Sequence, residues 1–192
     1  MNFVEYMPLA LRTAKPHPHE QQVKHAVLGL VTEVGELADA IKRHAIYGKP
    51  LDKVNVMEEC ADCWWYLNLF MHEKHLGPSL VDAAWAQSLS VQAENKRILT
   101  GWGLVDAMLG TAALVGVLIA ESRVSGVSDR ELVSVIASSL CAFLLVAETD
   151  LSTSLVRNID KLAERYGDKY SDYAALNRDT TAERKVLEGG TS

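Results

Sequence analysis

Four carboxylates fall in two pairs at a spacing that a helix turns into neighbours. Glu33 and Glu36 lie three apart in GLVTEVGELADAIKRH, residues 29–44, and Glu59 and Asp62 lie three apart in NVMEECADCWWYLNLF, residues 55–70. On an α-helix, positions i and i+3 share a face. Each pair is embedded in apolar helical periodicity, so the acids stand in or beside a stripe that faces a core. Carboxylates brought together repel one another and resist removal from water. A divalent cation would hold them, and an all-oxygen ligand set suits Mg²⁺, with Mn²⁺ as a substitute. The alternative is a set of solvated acids on exposed faces, where ExxE spacing is common. Residue types alone leave both readings open.

Other residues carry weaker signals. Cys60-x-x-Cys63 with His72-x-x-His75 has the residue types of a zinc site. Against it, Asp62 and Trp64 lie among these residues and His72 is more than two helical turns from Cys63. A thioredoxin-like pair needs a βαβ setting that the pattern lacks. HPHE, residues 17–20, reads as a helix start rather than a ligand set. Lys42, Arg43 and Lys49 read as solvated charges or as a positive rim near the acids.

The elements that must position the acids are helices. Residues 20–44 place Val23, Ala26, Val27, Leu30, Val31, Val34, Leu37, Ala38 and Ile41 at three- and four-residue steps. YGKPLD, residues 47–52, is a turn: Gly48 can end the helix and Pro50 prevents its continuation. A second helix is predicted over 53–75, antiparallel to the first, which lets the acid pairs converge. Further helices are predicted from residue 79 to about 98, and at about 104–124, 129–148 and 152–166, with a short one near 180–188 in a polar tail. Strand alternation is absent. The fold class is all-α, a helical bundle.

The chain also repeats itself. AVLGLVTEVGELAD (26–39) lies over AMLGTAALVGVLIA (107–120), VMEECADCWWYL (56–67) over VIASSLCAFLLV (135–146), and LGPSLVDAAWAQ (76–87) over LSTSLVRNIDKL (151–162). The offsets of 81, 79 and 75 keep the order with small gaps. The second copy replaces Glu33, Glu36, Glu59 and Asp62 by Leu114, Val117, Ser138 and Cys141. It keeps the helical pattern and loses all four acids.

Composition bounds the rest. Hydrophobic residues make up 48% and charged residues 23% of 192, a globular balance. A net charge of -6 with no basic block argues against binding long nucleic acid. The uncharged stretches 107–120 and 132–147 are shorter than the roughly 20 residues that span a bilayer, so a buried helix pair is expected and no membrane partner. Three cysteines and no apolar leader point to a reducing, cytoplasmic setting.

The run from Gly29 to Asp52, followed by EECADCWWYL, resembles the MazG-like all-α nucleoside triphosphate pyrophosphohydrolases, a superfamily that includes dimeric dUTPases and dCTP pyrophosphatases. Their ExxE, spacer, ExxD pattern is matched by Glu33 and Glu36, a 22-residue gap, then Glu59 and Asp62. Their later Asn-x-x-Lys-Leu-x-x-Arg-Tyr element is matched in NIDKLAERY by Asn158, Lys161, Leu162, Arg165 and Tyr166. The N-terminal stretch and YSDYAALNRD resemble phage-type members. The resemblance covers residues 1–70 and 155–185, whereas 76–154 departs from a single-copy member.

That resemblance implies a Mg²⁺-dependent conversion of a nucleoside triphosphate, deoxy form favoured, to the monophosphate and pyrophosphate. Glu33, Glu36, Glu59 and Asp62 would hold the metal, and Glu33 or Glu36 would take a proton from water. Lys161 and Arg165 would clamp phosphates, Asn158 a phosphate or the sugar, and Tyr66 would rest against the sugar. Trp64 or Trp65 would stack on the base, with core packing expected for at least one. The repeat makes the chain a tandem pseudo-dimer: residues 1–99 carry the acids, and 100–192 form a degenerate unit with the phosphate-contacting helix. One composite site per chain and a homodimer of such chains follow. A competing reading is an 80-residue insertion into a single copy. For function, the competitor is a non-catalytic helical interaction or nucleotide-sensing protein. Base choice among dGTP, dUTP and dCTP stays open.

Overall fold

The computed structural model describes residues 1–92, 99–119 and 126–189. The described residues form helices α1 (Phe3–Leu11), α2 (His19–Ala45), α3 (Lys53–Glu73), α4 (Ser79–Ser90), α5 (Trp102–Ile119), α6 (Asp129–Val146), α7 (Leu151–Tyr166), α8 (Asp172–Leu176) and α9 (Thr180–Leu187), with no strand among them. The all-α helical bundle expected from the periodicity is therefore present. Residues 93–98 of the helix predicted from residue 79, and the predicted 104–124 helix beyond Ile119, lie outside the described residues.

Local chemistry sets the boundaries. Gly48 takes φ +65°, a left-handed conformation open to glycine, and the Asp52 side chain then accepts from the Asn55 N–H to cap α3. Ser128 and Glu131 form a capping box at the start of α6, and Asp150 caps α7. α2 packs along α3 and against α5; α6 packs against α3, α5 and α4; α7 lies on α3. α1 covers α7, α3 and α4, while α8 and α9 fold back on α7. Apolar residues from both predicted units, among them Trp64, Leu67, Leu140 and Leu155, share one contiguous core.

Three features differ from expectation. α1 and α8 are helices that the sequence reading did not place. Pro8 is the sixth residue of α1, past its first turn, and costs the helix one internal hydrogen bond. The apolar α5 is not wholly buried: Leu109 is 64% exposed, and Ala112, Ala113 and Gly116 beside it are exposed too. No single helix among the described residues is long and apolar enough to cross a membrane.

Candidate functional site

Helical spacing brings one side of each of three helices to a common cavity of about 330 Å³. α2 contributes His25, Glu33 and Glu36; α3 contributes Glu58, Glu59, Asp62, Trp65 and Tyr66; α7 contributes Leu162, Arg165 and Tyr166. The α1–α2 connection adds Thr13, Lys15 and His17, and the C-terminal segment adds Tyr170, Ala175 and Arg178.

Acids form the floor. Glu33, Glu59 and Asp62 each offer a carboxylate oxygen within 4.8 Å of the others. Glu36 lines the same cavity but is exposed and stands outside this three-oxygen cluster. Glu58, which the sequence reading passed over, joins from the position next to Glu59.

The acids are stabilised unequally. Asp62 accepts from Asn158 Nδ2 at 2.9 Å and from Lys161 Nζ. Lys161, fully buried, also donates to Glu58 at 3.3 Å. Burial works to lower the Lys161 pKa, yet the Asp62 and Glu58 charges overcome it and hold the ammonium charged. Glu33 and Glu59 have no such partner. Burial, with the Asp62 and Glu36 charges, pushes Glu33 up to about 7. Burial, with Asp62 and Glu58, pushes Glu59 up to about 8.

The expected phosphate clamp is arranged differently. Lys161 is not directed to the open cavity but locked into the acid floor, and Asn158 is fully buried as well. Asn158 is oriented by the Tyr6 hydroxyl, which donates to its Oδ1 at 2.7 Å. Arg165 does line the cavity, and Glu183 holds it through Nε at 2.7 Å and Nη2 at 2.6 Å. Arg178 donates to the same carboxylate at 2.8 Å. Burial would raise the Glu183 pKa, but the two guanidinium groups hold it down at about 2.

Aromatic groups form the remaining wall. Trp64 is fully buried and meets Phe3 edge-on, so it is the core tryptophan. Trp65 is half-buried at the cavity, its Nε1 donating to Thr13 Oγ1 at 3.0 Å and to the Ala10 carbonyl at 3.1 Å. Tyr66 and His25 meet Trp65 edge-on. Gly29 is the reason Tyr66 fits: a Cβ there would lie 2.0 Å from the tyrosine ring. Burial and the neighbouring Glu33 push the Tyr66 phenol up to about 12, so it stays a hydrogen-bond donor.

Other candidates fall away from the site. Cys60 and Cys63 are buried in the apolar core while His72 and His75 are exposed, so no zinc set forms from them. Lys42 and Arg43 pair with Asp39 on their own helix and do not line the cavity, nor does Lys49. His17, expected only to start a helix, lies at the cavity. Tyr6, Arg178 and Glu183 went unnoticed in sequence. The Asn2–Glu5 capping box was the available signal for α1 and hence for Tyr6. Nothing local announces the Glu183 pairings.

No family model, curated protein or solved structure matches the chain.

Proposed function

We propose that the chain is a Mg²⁺-dependent nucleoside triphosphate pyrophosphohydrolase with a deoxynucleoside triphosphate as favoured substrate. One observation carries this reading: three converging carboxylates floor a cavity whose walls carry two guanidinium groups and an aromatic cluster. The donor set fits a hard divalent cation. All its atoms are oxygens, and Glu33 and Glu59 are held together without a cationic partner of their own. Glu33, Glu59 and Asp62 would hold Mg²⁺, or Mn²⁺ in its place. When bound, the ion neutralises phosphate charge and acidifies water.

The chain's own groups do the rest. Tyr6 and Asn158 orient Asp62, and the Lys161 ammonium donates to its other oxygen. Arg165 meets the phosphates. Trp65, Tyr66 and His25 supply a surface for sugar and base, with the His25 Nδ1 buried and unpaired. A water oxygen bonds to the α-phosphorus, the bond to the bridging oxygen breaks, and pyrophosphate leaves. The proton passes to Glu33 or Glu36; Glu36, outside the three-oxygen cluster, is the one not committed to the cation.

The bundle's packing supports a tandem pseudo-dimer. Exchanging α2 with α5, α3 with α6 and α4 with α7 maps the main helix contacts onto one another, including α4 on α6 onto α7 on α3. A second cavity, about 600 Å³, contains Leu114, Ser138 and Val91, the repeat equivalents of Glu33, Glu59 and Tyr166. The Ser138, Ser139, Ser88 and Thr111 hydroxyls there bond back to their own helices. One composite site per chain is the result. Leu28 and Leu109, equivalent by the repeat, are 67% and 64% exposed, which fits a homodimer of such chains.

The test is a panel of nucleoside triphosphates with Mg²⁺ or Mn²⁺ and a pyrophosphate readout. Turnover that Glu59→Gln abolishes is expected; no release from any nucleotide by a folded chain refutes the proposal. A second reading, nucleotide sensing without turnover, draws on Lys161: an internal cation already serves Asp62 and Glu58, as in a structural ion cluster. Tight nucleotide binding with no product favours it.

A further inference from the structure

The C-terminal segment brings a second arginine to the cavity, and its charge is not accounted for by packing. Glu183 on α9 is 2% exposed, and a buried carboxylate needs a cation. Arg165 already meets that need through a two-pronged fork, at 2.7 and 2.6 Å. Arg178 nevertheless adds its own contacts to the same carboxylate, Nη2 at 2.8 Å and Nε at 3.5 Å. Two guanidinium groups on one carboxylate leave the trio with a surplus positive charge. That surplus sits at the cavity, because Arg165 and Arg178 both line it. The Arg178 side chain is 43% exposed, so it remains within reach of a ligand. Arg178 spends only Nε and Nη2 on Glu183, leaving Nη1 for another acceptor.

We infer that Arg178 is an anion-binding residue of this cavity, aligned beside Arg165 by their shared carboxylate Glu183, and that the pair takes the pyrophosphate end of the substrate. The assignment rests on the pyrophosphohydrolase reading and adds to it a residue outside the acid motifs. It gives the C-terminal segment a purpose. Lys15 to Asp172, and the Tyr170 N–H to the Arg12 carbonyl at 3.3 Å, tie its start to the α1–α2 connection. Arg184 to Asp52 and the buried Val186 and Leu187 dock its end. Arg178 lies between these anchors, fixed without being covered.

Calorimetric titration of the full chain with inorganic pyrophosphate in Mg²⁺ tests this without turnover. Arg178→Met is expected to weaken binding about 10-fold or more, the scale of a lost charge-assisted contact. Arg184→Met, on the adjoining α9 but pairing with Asp52 and Glu188, is expected to bind as wild type. Protease resistance of the C-terminal segment reports docking. Should Arg178→Met release the segment, Arg178→Gln, which keeps a neutral hydrogen bond to Glu183, decides: weakened binding with the segment docked supports the assignment. Wild-type affinity in a docked Arg178 variant overturns it, as does equal loss in Arg178→Met and Arg184→Met. The parent reading fails separately: a wild-type chain that binds pyrophosphate yet hydrolyses no nucleotide removes the enzyme and leaves the anion site standing.

Discussion

On the proposed metal site, cation binding at the acid floor displaces protons from Glu33 and Glu59, whose carboxyls burial pushes up. In the metal-free chain the Glu33 carboxyl titrates at about 7 and Glu59 at about 8. At pH 7 the first is about half protonated and the second about nine-tenths, so a cation that needs both ionised releases about 1.4 protons. The same arithmetic gives about 1.9 protons at pH 6 and about 0.6 at pH 8. Integrated over that interval, Mg²⁺ affinity rises on the order of 500-fold from pH 6 to pH 8. Titration of Mn²⁺ or Mg²⁺ in buffers of different ionisation heat reads the proton count directly. Glu59→Gln is expected to leave only the Glu33 share, about 0.5 protons at pH 7. Proton release near zero at pH 7, or an affinity flat between pH 6 and 8, would refute the reasoning. The stability sign follows too. Folded-state values above the unfolded carboxyl value mean that metal-free stability is fullest below about pH 4.5 from this source and falls as pH rises through about 8, where metal restores it.

Other perturbations probe the parts separately. Lys161→Met leaves Asp62 and Glu58 uncompensated and is expected to cost about 3–5 kcal/mol in urea unfolding, the scale for breaking a buried pair; wild-type stability would sink the buried-pair assignment. Gly29→Ala puts a Cβ 2.0 Å from the Tyr66 ring and is expected to lower stability by about 1–3 kcal/mol, whereas Gly110→Ala, with nothing within 4 Å, is expected to raise it by up to about 1 kcal/mol; equal melting shifts in the two refute the close approach. Lowering pH toward 2 protonates Glu183, whose depressed value gives stability above about 4.5 that is lost through about 2, so the C-terminal segment is expected to become protease-sensitive in acid before the bundle melts. Leu28→Glu with Leu109→Glu is expected to halve the mass seen by light scattering, and an unchanged mass removes that face from the homodimer.

The acid-bearing helices were legible because two independent signals coincide on them. Three- and four-residue apolar steps fix which faces of α2 and α3 are buried, and the turn at Gly48 makes them neighbours, so Glu33, Glu59 and Asp62 converge without long-range information. Glu58 was not legible, since its role depends on the depth at which Lys161 enters the floor. The phosphate-clamp role of Lys161 comes from the resemblance of NIDKLAERY and its one-turn spacing from Arg165; only packing of α7 on α3 reveals that the lysine is sealed in. Glu183 pairs with Arg165 across 18 residues and two turns of the tail, a relation that no periodicity encodes. The exposed face of α5 misled in the opposite direction. An uncharged helix reads as buried, and Leu109 stays on the surface because nothing within the described residues covers it.

The distribution of charge between the two repeats has a physical logic of its own. Lys161 and Asn158 belong to the second copy, yet they serve Asp62 and Glu58 of the first. In the equivalent place, the first copy has Ala86 and Ala83, and the second copy has Cys141 and Ser138 where the acids would be. These losses are coupled. A buried lysine without its carboxylates, or the carboxylates without their lysine, costs several kcal/mol, so a site sheds both members or keeps both. On the proposed tandem pseudo-dimer each site would draw its acids from one repeat and its lysine from the other, so discarding one whole site would strip the acids from one copy and the cations from the other. The proposed pseudo-dimer thus predicts acids at Glu33, Glu59 and Asp62 with Leu114, Ser138 and Cys141 opposite them, and Asn158 and Lys161 with Ala83 and Ala86 opposite them. Lys161 pairs with Asp62 and Glu58, while burial raises Glu58 and pushes Glu33 up to about 7 and Glu59 up to about 8.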